Sequence, residues 1–131
     1  RDCATESLHL RGWLDREDPA MPTANWLRVY GADAPEVMAV CDEIEGGHDP
    51  LHDRLPYPRG VVVHATRYEL AGTVEDVLAR RTRALLLDAA AAAEVAEDVA
   101  SLMATELDRD EDWVRAQSDS FRTLAAGYML D

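Results

Sequence analysis

The chain has 131 residues, 26 acidic against 13 basic, and a formal net charge of −13. That length is one domain's worth and can bury a modest core. The charge argues against a nucleic-acid or anionic-lipid surface, which needs clustered cations, and no apolar run approaches the roughly 20 residues that span a bilayer.

Residues 1–22 show little periodicity, and Pro19 and Pro22 prevent a long helix there. A start at Arg1 rather than Met, without a signal peptide, gives the expectation of a piece of a longer protein. Its domain is then 23–131, with 1–22 leading in from a preceding domain. Leu8, Leu10, Trp13 and Leu14 are apolar residues in a stretch too short to make its own core, and are expected to form a former interface or to pack on a second copy. Thr23 is placed to cap a short helix holding Trp26, Leu27 and Tyr30, with Gly31 as a left-handed stop. Asp33 and Glu36 read as a capping box before the stripe Val37, Val40, Cys41 and Ile44, which Gly46 and Gly47 close. Residues 46–60 form a loop, because Pro50, Pro56 and Pro58 exclude regular structure. Val61, Val62 and Val63 alone suit a strand, but their continuation to Leu70 and Ala71 favours a helix.

Residues 73–83 are the most informative stretch. Thr73 reads as an N-cap with Asp76 at the third position, a shortened capping box. Val74, Val77, Leu78 and Leu85 mark one helical face, and that spacing puts Arg81 on it, so Arg81 is expected to be buried and held by hydrogen bonds. From Asp88 an alanine-rich helix is expected to about Leu107, burying Ala92, Val95, Val99, Leu102 and Met103. A last helix starts near Asp110, with Glu111 and Asp112 complementing the dipole, and buries Trp113, Phe121, Leu124 and Tyr128. The fold expected is all-α, a bundle of five to six antiparallel helices. All basic residues are arginine, which suits fixed ion pairs locking such helices together. Cys3 and Cys41 lack CxxC or zinc spacing and read as free thiols in a cytosolic protein.

Arg80-Arg81-Thr82-Arg83, read with Arg67, Tyr68 and Glu69 before it and Leu85 to Ala89 after it, resembles the C-terminal helical domain of FAD-dependent glycerol-3-phosphate dehydrogenases and alpha-glycerophosphate oxidases. The similarity runs through residues 27–34, Leu55-Pro56-Tyr57, residues 102–107, and Trp113 with Gln117, covering roughly residues 20–128 in one order. Asp108-Arg109-Asp110 departs from it, standing where a glycine and an aromatic are common. Thr73, Asp76, Arg80, Arg81, Arg83 and Glu69 form its structural signature. The resemblance implies that the parent oxidises glycerol 3-phosphate to dihydroxyacetone phosphate with FAD, passing electrons to quinone or another acceptor. It also implies that cofactor and chemistry lie in an N-terminal flavin domain of the same chain, this domain's expected partner, a homo-oligomer being the other assembly to test. The parent is expected in the cytoplasm or peripheral on the cytoplasmic face of the membrane. No GxGxxG, Walker lysine or GxSxG motif occurs, so no catalytic, flavin or metal site is expected in this chain.

Three clusters invite other readings. Arg67, Arg80, Arg81 and Arg83 suggest an anion site, yet Glu69, Glu75, Asp76 and Asp88 match them in number, and Asp76 stands four residues before Arg80 in the favourable order. Ion pairing is the preferred reading. His48-Asp49 and His52-Asp53 resemble the ligands of a metal-dependent phosphohydrolase, but Pro50 breaks any helix presenting both histidines, and a solvated loop is preferred. Asp108, Asp110 and Asp112 mimic a calcium loop, but Trp113 holds the position that needs glycine. A free-standing helical interaction module is the remaining alternative.

Overall fold

A computed structural model of the chain describes residue 5 and residues 8–129. It is all-α, and no strand occurs among the described residues. Helix α1 spans Ala34–Glu43, α2 Gly60–Tyr68, α3 Ala84–Leu87, α4 Ala89–Glu94, α5 Ala96–Leu107 and α6 Glu111–Ala126. A 3-10 turn, Arg28–Asp33, leads into α1, and a π turn, Asp76–Arg81, lies between α2 and α3.

Helix α2 is buried from Gly60 through Thr66, on every face. A helix apolar all round belongs at the centre of a bundle, and α2 packs against both α1 and α5. The triplet Val61, Val62 and Val63 is therefore helical core rather than strand. Helix α5 buries Ala96, Val99, Ala100, Met103 and Ala104, a continuous stripe at helical spacing. Alanine in that stripe lets α5 lie close to α2 and α6. Helix α6 answers with Ser118, Phe121 and Ala125, and Phe121 is the largest fully buried side chain.

Several expected boundaries shift. The Asp33–Glu36 capping box does not form: Asp33 is itself helical (φ −86°, ψ −3°) because the 3-10 turn runs straight into α1, leaving no free helix end. Both carboxylates instead reach Arg11, at 3.2 and 2.9 Å. The turn before α1 begins with Leu27 N–H donating to the Ala24 carbonyl, and no bond from the Thr23 side chain starts it among the described residues. Gly31 does take a positive φ of 51°, and a Cβ there would collide with the Gly12 carbonyl. Gly12 O accepts Ala32 N–H at 2.9 Å, so part of the leading segment is docked on this turn. Leu8, Leu10 and Trp13 remain exposed, with Trp13 stacked on His9, while Leu14 is half-buried.

The alanine-rich helix is not continuous from Asp88 to Leu107. It breaks at Val95 (φ −89°, ψ 0°), so that α4 faces α3 and α6 while α5 faces α2 and α6. Leu102, Trp113 and Leu124 are half-buried, and Tyr128 lies beyond the end of α6 and is exposed. Cys41 is a free, buried thiol, and burial pushes its pKa up; Cys3 lies outside the described residues.

Residues 46–59 contain no helix but are closed on themselves. Leu51 N–H donates to Tyr57 O and Arg59 N–H to Asp49 O, both at 2.9 Å, and Leu51 and Leu55 are buried. The loop delivers the chain to Gly60, whose missing side chain lets α2 touch α1: a Cβ there would lie 2.8 Å from the Cys41 Cα. Gly60→Ala should therefore destabilise the fold by about 1–3 kcal/mol through overpacking, whereas Gly72→Ala, whose Cβ meets nothing closer than 4.0 Å, should cost far less. Denaturant midpoints measure both, and a Gly60→Ala midpoint at the wild-type position would mean the two helices are not in backbone contact.

Candidate functional site

The stretch 73–83 folds from its own chemistry outward. Asp76 Oδ2 accepts from Gly72 N–H (3.1 Å), Thr73 N–H (3.0 Å) and the Thr73 hydroxyl (2.8 Å), while Thr73 Oγ1 accepts Asp76 N–H at 3.1 Å. This reciprocal box satisfies backbone donors that a helix start leaves unpaired. Another, Val74 N–H, donates to the Gln117 side-chain oxygen of α6 at 3.1 Å. Burial alone would raise the Asp76 pKa, but the bonds from Thr73, Arg80 and Gly72 hold it below its usual value.

Beyond the box the helix widens. Thr82 N–H donates to Val77 O at 2.9 Å, a bond spanning five residues, and the Thr82 hydroxyl donates to the same carbonyl at 2.9 Å. The wider turn moves the register by one residue. Thr82 takes the inward position and is buried, while Arg81 is rotated out, leaving a third of its side chain exposed. The expectation of a buried Arg81 is thus overturned, because normal α spacing does not hold across this turn. Arg81 Nη2 donates to the Glu69 carbonyl at 2.7 Å, and its Nε lies 3.6 Å from Glu69 Oε2.

The other arginines divide. Arg80 pairs with Glu75 at 2.5 Å and with Asp76. Arg67 pairs with none of the nearby acids. It forms a bidentate bridge to Glu106 of α5 (2.5 and 2.9 Å) and a third bond to Glu43 of α1 (3.0 Å), and the Glu106 hydrogen bond keeps its pKa raised. Asp88 caps α4 through Ala91 N–H and pairs with Arg54 at 3.1 Å, not with the 80–83 group. Arg83 is left without a carboxylate among the described residues. It also carries a left-handed backbone (φ 59°, ψ 20°), a conformation costing a non-glycine residue roughly 1–2 kcal/mol.

Arg81, Thr82 and Arg83 line a cleft of about 680 Å³ together with Trp26, Tyr30 and, from the loop, Tyr57. Tyr30 also backs onto His64, edge to face at 5.4 Å. His64 is buried with Nδ1 unpartnered, and burial lowers its pKa against the opposing pull of Glu69.

The remaining candidates separate. His48 pairs with Asp42 at 2.7 Å and His52 with Glu94 at 3.0 Å, so neither turns to its neighbouring aspartate. No group of three or more His, Cys, Asp or Glu among the described residues is placed to hold a metal. Asp108 ends α5 in a left-handed turn, Asp110 caps α6 by accepting Trp113 N–H at 2.9 Å, and Asp112 pairs with Arg115, so these acids serve helix ends rather than a cation. The dinucleotide mode of flavin binding needs a glycine turn whose open backbone receives a phosphate, and the tight glycines Gly12, Gly31, Gly47 and Gly60 do not offer one, their Cβ space being taken by the chain's own Tyr30, Gly12 and Cys41 atoms.

The family described as the C-terminal domain of alpha-glycerophosphate oxidase matches residues 18–114. The chain belongs to this family. The match spans the capping box, the π turn, the arginine cluster and the Arg67 bridge, and its enzymes are flavin oxidoreductases. No protein of curated function and no solved structure matches the chain. No helix among the described residues is long and apolar enough to cross a membrane.

Two outcomes follow from this geometry. Arg67→Ala should destabilise the domain by about 2–3 kcal/mol, because it strands partly buried Glu106, while Arg81→Ala should cost within about 1 kcal/mol; urea midpoints in the opposite order would refute the assignment. Because the Asp76 pKa is depressed by folding, its stabilisation is present above the ordinary carboxylate value and is lost as pH falls through the lower folded value. Asp76→Asn should accordingly be less stable at neutral pH and should lose less stability than wild type on acidification below pH 4, which thermal melts across that range will read.

Proposed function

We propose that this chain is the non-catalytic helical cap of a flavin-dependent glycerol-3-phosphate dehydrogenase or oxidase. The family match over residues 18–114 carries the reading. The arginines support it: Arg67, Arg80 and Arg81 are committed to carboxylates and a carbonyl of the fold itself, so they serve architecture rather than a phosphate substrate. Under this reading FAD and the oxidation of glycerol 3-phosphate to dihydroxyacetone phosphate belong to an N-terminal flavin domain of the same parent. The parent then works in the cytoplasm or on the cytoplasmic face of the membrane, and the cap packs on the flavin domain.

A second reading, a helical protein-interaction module, draws on the exposed Val29 and Leu87 that line the cleft. The two diverge in a direct experiment. The isolated chain, incubated with FAD and desalted, should show no flavin absorption and no glycerol 3-phosphate oxidation, whereas the parent protein should retain flavin and oxidise that substrate. Near-stoichiometric flavin on the isolated chain would overturn the cap reading, and a parent without flavin would leave the interaction module in its place.

A further inference from the structure

The cleft beside the arginine cluster joins an open apolar lining to a guanidinium that no internal carboxylate uses. Its walls are apolar and open to water: Val29 is 78% exposed and Leu87 61%, with half-buried Trp26 beside them. Exposed large apolar side chains are ordinary when scattered singly, but around one concave trough they mark an interaction site. Arg83 lies in the same cleft, and in a chain with twice as many acids as bases it has no carboxylate partner among the described residues. Arg80 and Arg81, its neighbours, are both satisfied. Finally, Arg83 sits in a left-handed conformation that glycine would adopt without strain. That backbone serves the fold, its carbonyl accepting Leu86 and Leu87 N–H at 3.0 and 3.2 Å to open α3, but the guanidinium it carries stays available to a carboxylate from outside.

We infer that this cleft docks an extended segment of a protein partner in which a carboxylate side chain is flanked by apolar ones. The carboxylate meets the fork of Arg83, which suits bidentate pairing, and the flanking side chains cover Trp26, Val29 and Leu87. Complementarity of charge decides the class of occupant: an apolar segment without an acid would bury the Arg83 guanidinium unpaired, which is costly. The inference goes beyond the cap reading and does not depend on flavin, since it concerns this chain's own surface.

The probe is the peptide acetyl-Phe-Glu-Leu-Asp-Phe-amide, titrated into the full 131-residue chain and followed by amide chemical shifts, with the peptide carrying Gln and Asn in place of Glu and Asp as control. Saturable shifts confined to residues 26–30, 57 and 83–87 are expected, with the control binding at least tenfold more weakly. Arg83→Gly, which suits the backbone and keeps the fold, should weaken the acidic peptide at least tenfold, and Arg109→Ala, on the distant turn between α5 and α6, should leave it unchanged. The proposal is overturned if no saturable shift appears in the cleft, if the two peptides bind equally, or if Arg83→Gly binds as wild type does. It is equally overturned if sodium acetate alone reproduces the shifts at the same concentration, or if a self-associated chain keeps the peptide out.

Discussion

The guanidinium of Arg67 is the point at which three helices are held together. It stands on α2, the central helix, and bonds Glu106 of α5 and Glu43 of α1. Arginine can do this because its donors lie in a planar fork; the point charge of a lysine could not grip one carboxylate bidentately and another at the same time. Its side chain is only about a quarter exposed, and that of Glu106 less, so the bridge is shielded from the screening that weakens surface pairs. Hydrophobic burial sets how much α2 is worth to the fold, but non-directional burial does not fix how three helices are rotated about one another. The bridge supplies that direction.

The other arginine pairs act at the rim. Arg59 reaches Asp98, Arg54 reaches Asp88 and Glu94, and Arg122 reaches Glu97. In each at least one partner is about half exposed or more, and such a pair is worth about 0–1 kcal/mol. The Arg54 and Arg59 pairs, with His52 on Glu94, tie the proline-rich loop of residues 46–60 to α4 and α5, while Arg122 joins α6 to α5. That loop in turn presents Tyr57 to the cleft and seats Gly60 against Cys41. Surface charge here positions parts more than it stabilises them.

What could be read from the sequence was what depends on near neighbours. The Thr73–Asp76 box, the Asp88 and Asp110 caps and the α5 stripe each lie within one or a few helical turns, where residue chemistry and spacing determine the outcome. Arg67 escapes a local reading because its partners stand 24 and 39 positions away, and nothing local distinguishes them from the nearer Glu69. The Asp33 box failed because an irregular turn, invisible in the hydrophobic pattern, consumed the helix end. Arg81 faces outward because one wide turn breaks the period of 3.6 residues on which its burial is expected. The cleft is built from three separated segments, so only its arginine side had a sequence signal.

The wide turn at Asp76–Arg81 also bears on how the chain can change length. A π turn is an α-helix that has accepted one additional residue without losing its ends, and here the extra residue is absorbed between a firmly capped start and a left-handed stop at Arg83. Removing one residue within it would restore regular spacing and leave Thr82 inward and the residues after it on their present side, whereas straightening the turn at its present length would rotate everything after Leu78 by about 100° about the helix axis and turn Arg81 inward. The turn therefore acts as an angular setting: the same charges on the same helix face the cleft or the interior according to whether the extra residue is absorbed in one wide turn.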